Sequence, residues 1–176
     1  MHFPRPKAHS IAVDPLSDAV LHVLEASLSG QGGGLRLDRS TPGDGNCLYH
    51  SVLRSVSRGD QRHLVHGMTA QTLRLDSFQA CPPDDEGLRL AAVDQGITPA
   101  AYVAQMAKDG EYVGMFELVL ICRYLRIIVT VVTPNNVRHY GIDADGRLVE
   151  GDGHNFNSAC IVAYNGYNHF FGTRPL

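Results

Sequence analysis

The chain has 176 residues, 44% of them hydrophobic and 19% charged, with a formal net charge of −3 at pH 7. This length predicts a single domain, and the composition is typical of a globular protein rather than a disordered or membrane-embedded one. Eighteen acidic residues outnumber fifteen Lys and Arg, so we expect no nucleic-acid partner, which would need clustered positive charge. No apolar run approaches the roughly 20 residues that span a bilayer, so we expect no membrane partner either.

The first two thirds of the chain predict mainly helices. Residues 1–13 contain two prolines and little periodicity and are interpreted as an extended arm, so the single domain is expected to cover residues 14–176. A short strand is predicted at residues 35–38, and turn-forming residues fill positions 41–46. Apolar residues at helical spacing predict helices over residues 14–30, 47–59, 61–75, 98–108 and 115–124.

The last third of the chain changes to the composition of β-strands. Strands are predicted over residues 126–133, 137–142, 147–150 and 159–164. Because helices come first and strands late, we predict an α+β fold with a small, late-formed β-sheet flanked by helices. Asn165-Gly166 is a strong hairpin signal, so a two-residue turn is predicted there that places His169 on the returning strand, opposite Val162.

The chain has four cysteines, Cys47, Cys81, Cys122 and Cys160, which are 34, 41 and 38 residues apart. No two have the CxxC spacing of a zinc site, so we expect neither a metal nor another cofactor. A chain of this length can build a core without disulfides. It also begins without the apolar segment of a secretory signal. We therefore expect reduced thiols and a cytoplasmic localisation.

Cys47 differs from the other three cysteines in its local sequence. It follows a glycine-rich turn directly and begins a predicted amphipathic helix. A thiolate at a helix N-terminus is stabilised by the helix dipole and by unpaired backbone N–H groups. The same groups can hold the oxyanion of a tetrahedral intermediate, and Gly43 and Gly45 allow a substrate to approach the backbone closely. We predict that Cys47 is a nucleophile.

A nucleophilic cysteine needs a base, which is usually a histidine. Of nine histidines, we favour His169, because a strand of a predicted hairpin would hold it rigidly. His139, on a weaker strand, is the next candidate, and His154 lies in a loop of Gly, Asp and Asn. His63 and His66 have the spacing of half a metal site, but no matching pair of ligands appears in the sequence.

Residues 44–51, DGNCLYHS, resemble the nucleophile motif of the ovarian-tumour (OTU) family, which consists of papain-like cysteine proteases that act as deubiquitinases. Two weaker matches follow in the family's order. Residues 109–118, DGEYVGMFEL, resemble its Trp-Gly and Glu-Leu helix entry, and residues 168–170, NHF, resemble its terminal His-aromatic segment. The resemblance covers about residues 35–171 and implies an OTU-like fold with Cys47 and His169 as the catalytic pair.

The resemblance also implies roles for residues around this pair. Backbone N–H groups at Gly45 and Asn46 would hold the oxyanion, and Asp44 would organise their loop. Many family members carry Asp or Asn two residues after the histidine, where this chain has Phe171. Asp38 resembles an upstream acid that some members use as the third catalytic residue. The alternatives for that third residue are Asn157, Asn165 and Asn168.

The implied function is a thiol-dependent deubiquitinase with ubiquitin or polyubiquitin as its partner, acting as a monomer. His169 and the helix terminus would lower the pKa of Cys47, whose thiolate would attack the ubiquitin C-terminus and form a thioester. Two alternatives stay open: a catalytically weak or inactive ubiquitin-binding OTU-like module, and a papain-like hydrolase of a non-ubiquitin amide or ester. In a microbe that lacks ubiquitin, the protein would be a secreted effector in a host cytosol.

Overall fold

The computed structural model describes residues 17–31, 34–143, 148–151 and 158–176. The helices within these ranges are α1 (Asp18–Ser29), α2 (Cys47–Ser57), α3 (Ala70–Gln79), α4 (Glu86–Asp94), α5 (Pro99–Met106) and α6 (Met115–Leu125). The strands are β1 (Leu35–Asp38), β2 (Ile128–Val132), β3 (Val137–Ile142), β4 (Leu148–Gly151), β5 (Cys160–Tyr164) and β6 (Phe170–Pro175). This arrangement confirms the predicted α+β fold. The predicted arm, residues 1–13, lies outside the described residues.

The six strands form one sheet in the order β1-β6-β5-β2-β3-β4. β2 and β5 run parallel, and the other neighbouring strands are antiparallel. The early strand β1 pairs with the last strand, β6, so that Asp38 faces Gly172. Pairing of the two ends of the domain therefore places the segment before Cys47 beside the segment after His169.

Both faces of the sheet are covered. The larger core lies between one face and helices α2, α3 and α6, and α2 contributes Leu48, Val52 and Val56 at four-residue spacing, each fully buried. Burial of each such side chain stabilises the fold by about 1.5–3 kcal/mol. Helix α1 packs on the opposite face, where it contacts a core that includes Phe171. Among the described residues, no helix is long and apolar enough to cross a membrane.

The segment predicted as one helix over residues 61–75 is instead divided. A short 3₁₀ helix spans Arg62–Val65, and α3 begins only at Ala70. Gly67 has a φ of +74°, a left-handed conformation that ends the first helix. Thr69 then caps α3 by accepting a hydrogen bond from the N–H of Thr72. Local capping overrides the continuous apolar periodicity at this point.

The predicted helices do not include α4, because the sequence leading into it, Pro-Pro-Asp-Asp-Glu at residues 82–86, favours a loop. Asp85 starts the helix by accepting a hydrogen bond from the N–H of Leu88 at 3.0 Å. The same carboxyl group pairs with Arg123 of α6 at 2.6 Å. One aspartate thus caps α4 and ties it to the rest of the fold.

The two-residue turn predicted at Asn165-Gly166 is wrong. The N–H of Asn165 donates to the carbonyl of His169 at 3.1 Å, and the strand register pairs Tyr164 with Phe170. Residues 165–169 therefore form a longer loop, called the histidine loop below. His169 does not lie opposite Val162 but ends this loop, directly before β6.

Candidate active site

The Cys47 thiol lies at the start of α2 and is only 3% exposed. Its Sγ accepts a hydrogen bond from the N–H of Phe170 at 3.5 Å and lies 3.9 Å from the carbonyl oxygen of Asn168. Residues on both sides of His169 therefore contact the sulfur. The fold brings the predicted nucleophile and the predicted base together, although they are 122 positions apart in the sequence.

Burial raises the pKa of the Cys47 thiol. Hydrogen bonds from the N–H groups of Phe170 and Leu48 lower it in part, and the nearby Asp44 carboxylate adds to the rise. The expected lowering of this pKa by the helix terminus is therefore wrong for the resting site, because loss of solvent outweighs the backbone donors. The thiol rests protonated and needs a base when a substrate arrives.

The His169 imidazole is buried beside the exposed Gly43. Its Cε1 and Nδ1 atoms lie 3.7 and 3.8 Å from the point that a Cβ at residue 43 would occupy. Burial lowers the pKa of His169, while the Asp44 carboxylate and a hydrogen bond to the backbone of Thr41 partly oppose this shift. A neutral imidazole at neutral pH is the form that can accept a thiol proton.

No acid orients the imidazole within the described part of the chain. The buried Nε2 of His169 has no hydrogen-bond partner there. The aromatic ring of Phe171 lies edge-to-face against the imidazole, with centroids 4.4 Å apart. Two positions after the histidine, where many family members carry Asp or Asn, this chain therefore places an aromatic ring that cannot accept a hydrogen bond from the imidazole.

The structure does not bring Asp38 to His169. Its carboxylate accepts a hydrogen bond from Arg58 at 2.8 Å, lies 3.4 Å from Arg54 and is also hydrogen-bonded by Ser40. Burial alone would raise the pKa of Asp38, but the hydrogen bonds from Ser40 and Arg58 outweigh it and hold that pKa well below its usual range. Asp38 therefore connects β1 to α2 rather than to the imidazole.

Asp44 organises the loop before the cysteine, residues 41–46, called the nucleophile loop below. Its Oδ1 accepts a hydrogen bond from the N–H of Asn46 at 3.0 Å, and its Oδ2 lies 3.5 Å from the Nε2 of His50. Because the N–H of Asn46 is engaged in this turn, the expectation that it holds an oxyanion needs correction. Gly45 and the N-terminal N–H groups of α2 remain the candidates.

The other sequence candidates have different positions. Asn165 is fully buried, and its Oδ1 accepts hydrogen bonds from the N–H groups of Tyr167, Asn168 and His169, each at 3.0 Å. It therefore shapes the histidine loop. His139 is buried on β3, where its Nδ1 is hydrogen-bonded to Thr130. The candidates His154 and Asn157 lie outside the described residues.

Two residues near the site were missed by the sequence reasoning. Tyr112, within the weaker family match at residues 109–118, donates its hydroxyl to the carbonyl of Gly43 at 3.1 Å. Arg74 of α3 donates to Asn46 and Gly45 in the nucleophile loop. An arginine in a helical pattern has no distinguishing local signal, since its partners are distant in the sequence. Within the described ranges, no cluster of three or more metal-ligating side chains occurs.

The family described as OTU-like cysteine protease matches residues 42–170, from the turn before Cys47 to the residue after His169. An OTU deubiquitinase from Wolbachia pipientis wMel has a similar structure, with a TM-score of 0.59 and 18% identity over 81% of this chain and 89% of that one. The Hazara virus OTU bound to ubiquitin has a TM-score of 0.51 and 20% identity over 81% and 82%. No curated protein matches the chain.

Proposed function

The chain belongs to the family of OTU-like cysteine proteases, and we propose that it is a deubiquitinase that hydrolyses peptide or isopeptide bonds at the ubiquitin C-terminus. The observation that carries the proposal is the contact of Cys47 Sγ with both chain neighbours of His169, Asn168 and Phe170. A buried thiol at a helix N-terminus, held against the backbone on both sides of a buried histidine, suits acyl transfer by a cysteine nucleophile and a histidine base. The similar fold of an OTU solved with bound ubiquitin supports the choice of substrate.

In the proposed reaction, His169 takes the proton of the Cys47 thiol as the sulfur attacks the carbonyl carbon of the C-terminal glycine. The oxyanion forms next to Gly45 and the first N–H groups of α2, whose dipole favours negative charge there. His169 then returns the proton to the leaving amine as the C–N bond breaks. Water, deprotonated by His169, attacks the thioester, and the carboxylate and the thiol are released.

The test uses ubiquitin that carries a C-terminal electrophile, with intact-mass spectrometry to detect the adduct. We expect one adduct on the parent chain and none on Cys47→Ala. Cys81→Ala is the matched control, because Cys81 is the more exposed thiol, and it should react as the parent does. An adduct that survives Cys47→Ala, or no adduct on the parent, would contradict the proposal.

A ubiquitin-binding module without efficient turnover is the second candidate. The observation that favours it is the buried Nε2 of His169, which lacks a hydrogen-bond partner among the described residues, next to the apolar ring of Phe171. Binding of ubiquitin by the parent, measured calorimetrically, without cleavage of a ubiquitin amide would favour this module. Cleavage lost in Cys47→Ala would favour the protease.

A further inference from the structure

Arg74 is the largest fully buried side chain in the described part of the protein, and it is charged. Its Nη2 donates to Asn46 Oδ1 at 2.8 Å, to the carbonyl of Gly45 at 3.1 Å and to that of Glu111 at 2.7 Å. Its Nε also donates to Asn46 Oδ1, and its Nη1 donates to the carbonyl of Met106 at 2.6 Å. Every one of these acceptors belongs to the nucleophile loop or to residues 106–111, called the facing loop below.

The two loops also interlock directly. The Nδ2 of Asn46 donates to Asp109 Oδ1 at 2.8 Å. Gly45 has a φ of +82°, and a Cβ there would stand 1.8 Å from the carbonyl oxygen of Gly110. Arg74 therefore joins two loops that already touch, and it fixes the peptide that precedes Cys47 from the interior side.

The bonds to Asn46 have a consequence for the start of α2. Asn46 occupies the N-cap position, where an asparagine side chain ordinarily accepts a hydrogen bond from an early N–H of the helix. Its side chain makes no such bond here. Arg74 binds the oxygen that would make it, so the N-terminal N–H groups of α2 are not capped by Asn46.

The energetic cost of burying Arg74 argues against a purely structural role for this residue. A buried cation must replace its hydration, and its hydrogen-bonded partners among the described residues are uncharged oxygens. An apolar side chain of similar length would fill the same space without that cost. The guanidinium supplies what an apolar residue could not, a rigid fork that binds several carbonyl oxygens at once.

We infer that Arg74 is a positioning residue for acyl transfer: acting through Gly45 and Asn46, it holds the backbone before Cys47 in place and keeps the Asn46 side chain off the helix terminus where the oxyanion forms. This inference rests on the proposed function for its reaction class. It does not depend on ubiquitin being the substrate.

The test compares Arg74→Lys and Arg74→Met with the parent chain. With a ubiquitin C-terminal amide, we expect kcat to fall by about 10- to 100-fold, less for Lys than for Met, because displaced oxyanion donors lose transition-state binding. KM should stay within about 2-fold, since Arg74 is fully buried and its loss is expected to weaken transition-state rather than ground-state binding. A rise in KM with an unchanged kcat would overturn the inference, because it would mean that Arg74 contributes to substrate binding and not to the chemical step.

A double variant tests the route through Asn46. Once Arg74 is gone, the Asn46 side chain is free to cap α2, and Asn46→Ala removes that side chain. The loss of kcat in the double variant with Arg74→Met should therefore be smaller than the product of the two single-variant losses. Multiplicative losses of kcat would show that Arg74 does not act through Asn46.

A third variant, Asp109→Ala, changes an exposed residue and removes only the hydrogen bond that the Nδ2 of Asn46 donates to Asp109. It is expected to lower kcat several-fold without unfolding the chain.

Two further measurements separate this inference from the choice of substrate. Hydrogen exchange of residues 42–48 and 106–113 should be faster in Arg74→Lys, with β2 unchanged, and Cys47-dependent hydrolysis of p-nitrophenyl acetate should fall in parallel with kcat. Arg123→Lys is the matched control, because it weakens a partly exposed ion pair between α6 and Asp85, away from the site. If the parent chain does not cleave the ubiquitin amide, the choice of ubiquitin as substrate fails. The role of Arg74 is then decided by hydrogen exchange and by ester hydrolysis. Parental exchange in both loops would overturn the inference.

Discussion

Burial acts in opposite directions on the two residues of the proposed catalytic pair. Loss of solvent raises the pKa of the Cys47 thiol and lowers the pKa of the His169 imidazole, so both rest uncharged. A resting thiolate–imidazolium pair is therefore not favoured by this environment. In the proposed reaction, proton transfer from sulfur to nitrogen therefore accompanies attack on the substrate, with His169 as the general base.

The pH dependence of turnover should follow from these two shifts. Activity needs a neutral imidazole, so the acid limb of kcat/KM should lie below the ordinary imidazole value of about 6.5, and the alkaline limb above the ordinary thiol value of about 8.5. We expect a plateau across neutral pH, measured with a ubiquitin C-terminal amide. Asp44 raises both pKa values, so Asp44→Asn, which keeps an Oδ1 acceptor for Asn46, should move both limbs to lower pH. An acid limb at or above 6.5 would contradict this account.

Asn165 supports His169 through the backbone. Its Oδ1 accepts hydrogen bonds from three successive N–H groups. An alanine would leave them without this acceptor, including the buried N–H of His169. We expect Asn165→Ala to lower kcat by about 10-fold or more and to cost about 1–3 kcal/mol in the free energy of unfolding. Asn165→Asp keeps the acceptor and should retain more of the activity. The control is Asn136→Ala, which alters a side-chain bond to Thr133 in a turn of another hairpin; equal losses of kcat in Asn136→Ala and Asn165→Ala would contradict a specific role.

The nucleophile loop and the facing loop form a single unit whose shape depends on glycine. At Gly45, a side chain would meet both the left-handed backbone conformation, with φ at +82°, and the carbonyl of Gly110. Gly96 has a similar φ of +68° but no atom within 4 Å of the position of a Cβ. The two glycines separate backbone strain from close contact.

Alanine at these two glycines should therefore have different effects. Gly96→Ala is expected to cost about 1 kcal/mol in the free energy of unfolding, from backbone strain alone, and to leave kcat unchanged. Gly45→Ala must also push the two loops apart, so it should lose more stability and at least about 10-fold in kcat. Chemical denaturation and turnover of a ubiquitin amide measure the two quantities. Equal behaviour of the two variants would show that the contact with Gly110 does not hold the loop.

At the scale of the molecule, the parts of the site that are local in sequence could be predicted, and the parts that depend on distant contacts could not. The turn, the cysteine and the apolar face of α2 are neighbours in the chain, so Cys47 and its helix follow from short-range rules. Arg74 reaches Asn46 across 28 positions, and no local pattern encodes that contact. The histidine loop was misjudged because the Asn165 side chain competes with strand pairing for the same N–H groups.

Asp38 shows the same limit, because its chemistry is decided by residues of another element. On β1 it is a candidate acid for catalysis, but its carboxylate pairs instead with Arg54 of α2 and with Arg58, the residue directly after α2. Arg58 also donates to the carbonyl of Thr173 on β6. Through these arginines the carboxylate of Asp38 links β1, α2 and β6, which is the role of a residue that stabilises the fold.

Acid stability should reveal that role. A carboxyl whose pKa is lowered in the folded state stabilises the fold at pH above its unfolded value of about 3.9, and this contribution is lost as pH falls below that value towards the folded pKa. We expect Asp38→Asn to lower the free energy of unfolding by about 2 kcal/mol at neutral pH, because half-exposed arginines screen part of the pair, and kcat to change less than about 2-fold. Denaturant titrations between pH 7 and pH 2.5 should show the difference from the parent chain shrinking below pH 4. A difference independent of pH, or a large loss of kcat in a fully folded variant, would return Asp38 to the list of catalytic acids.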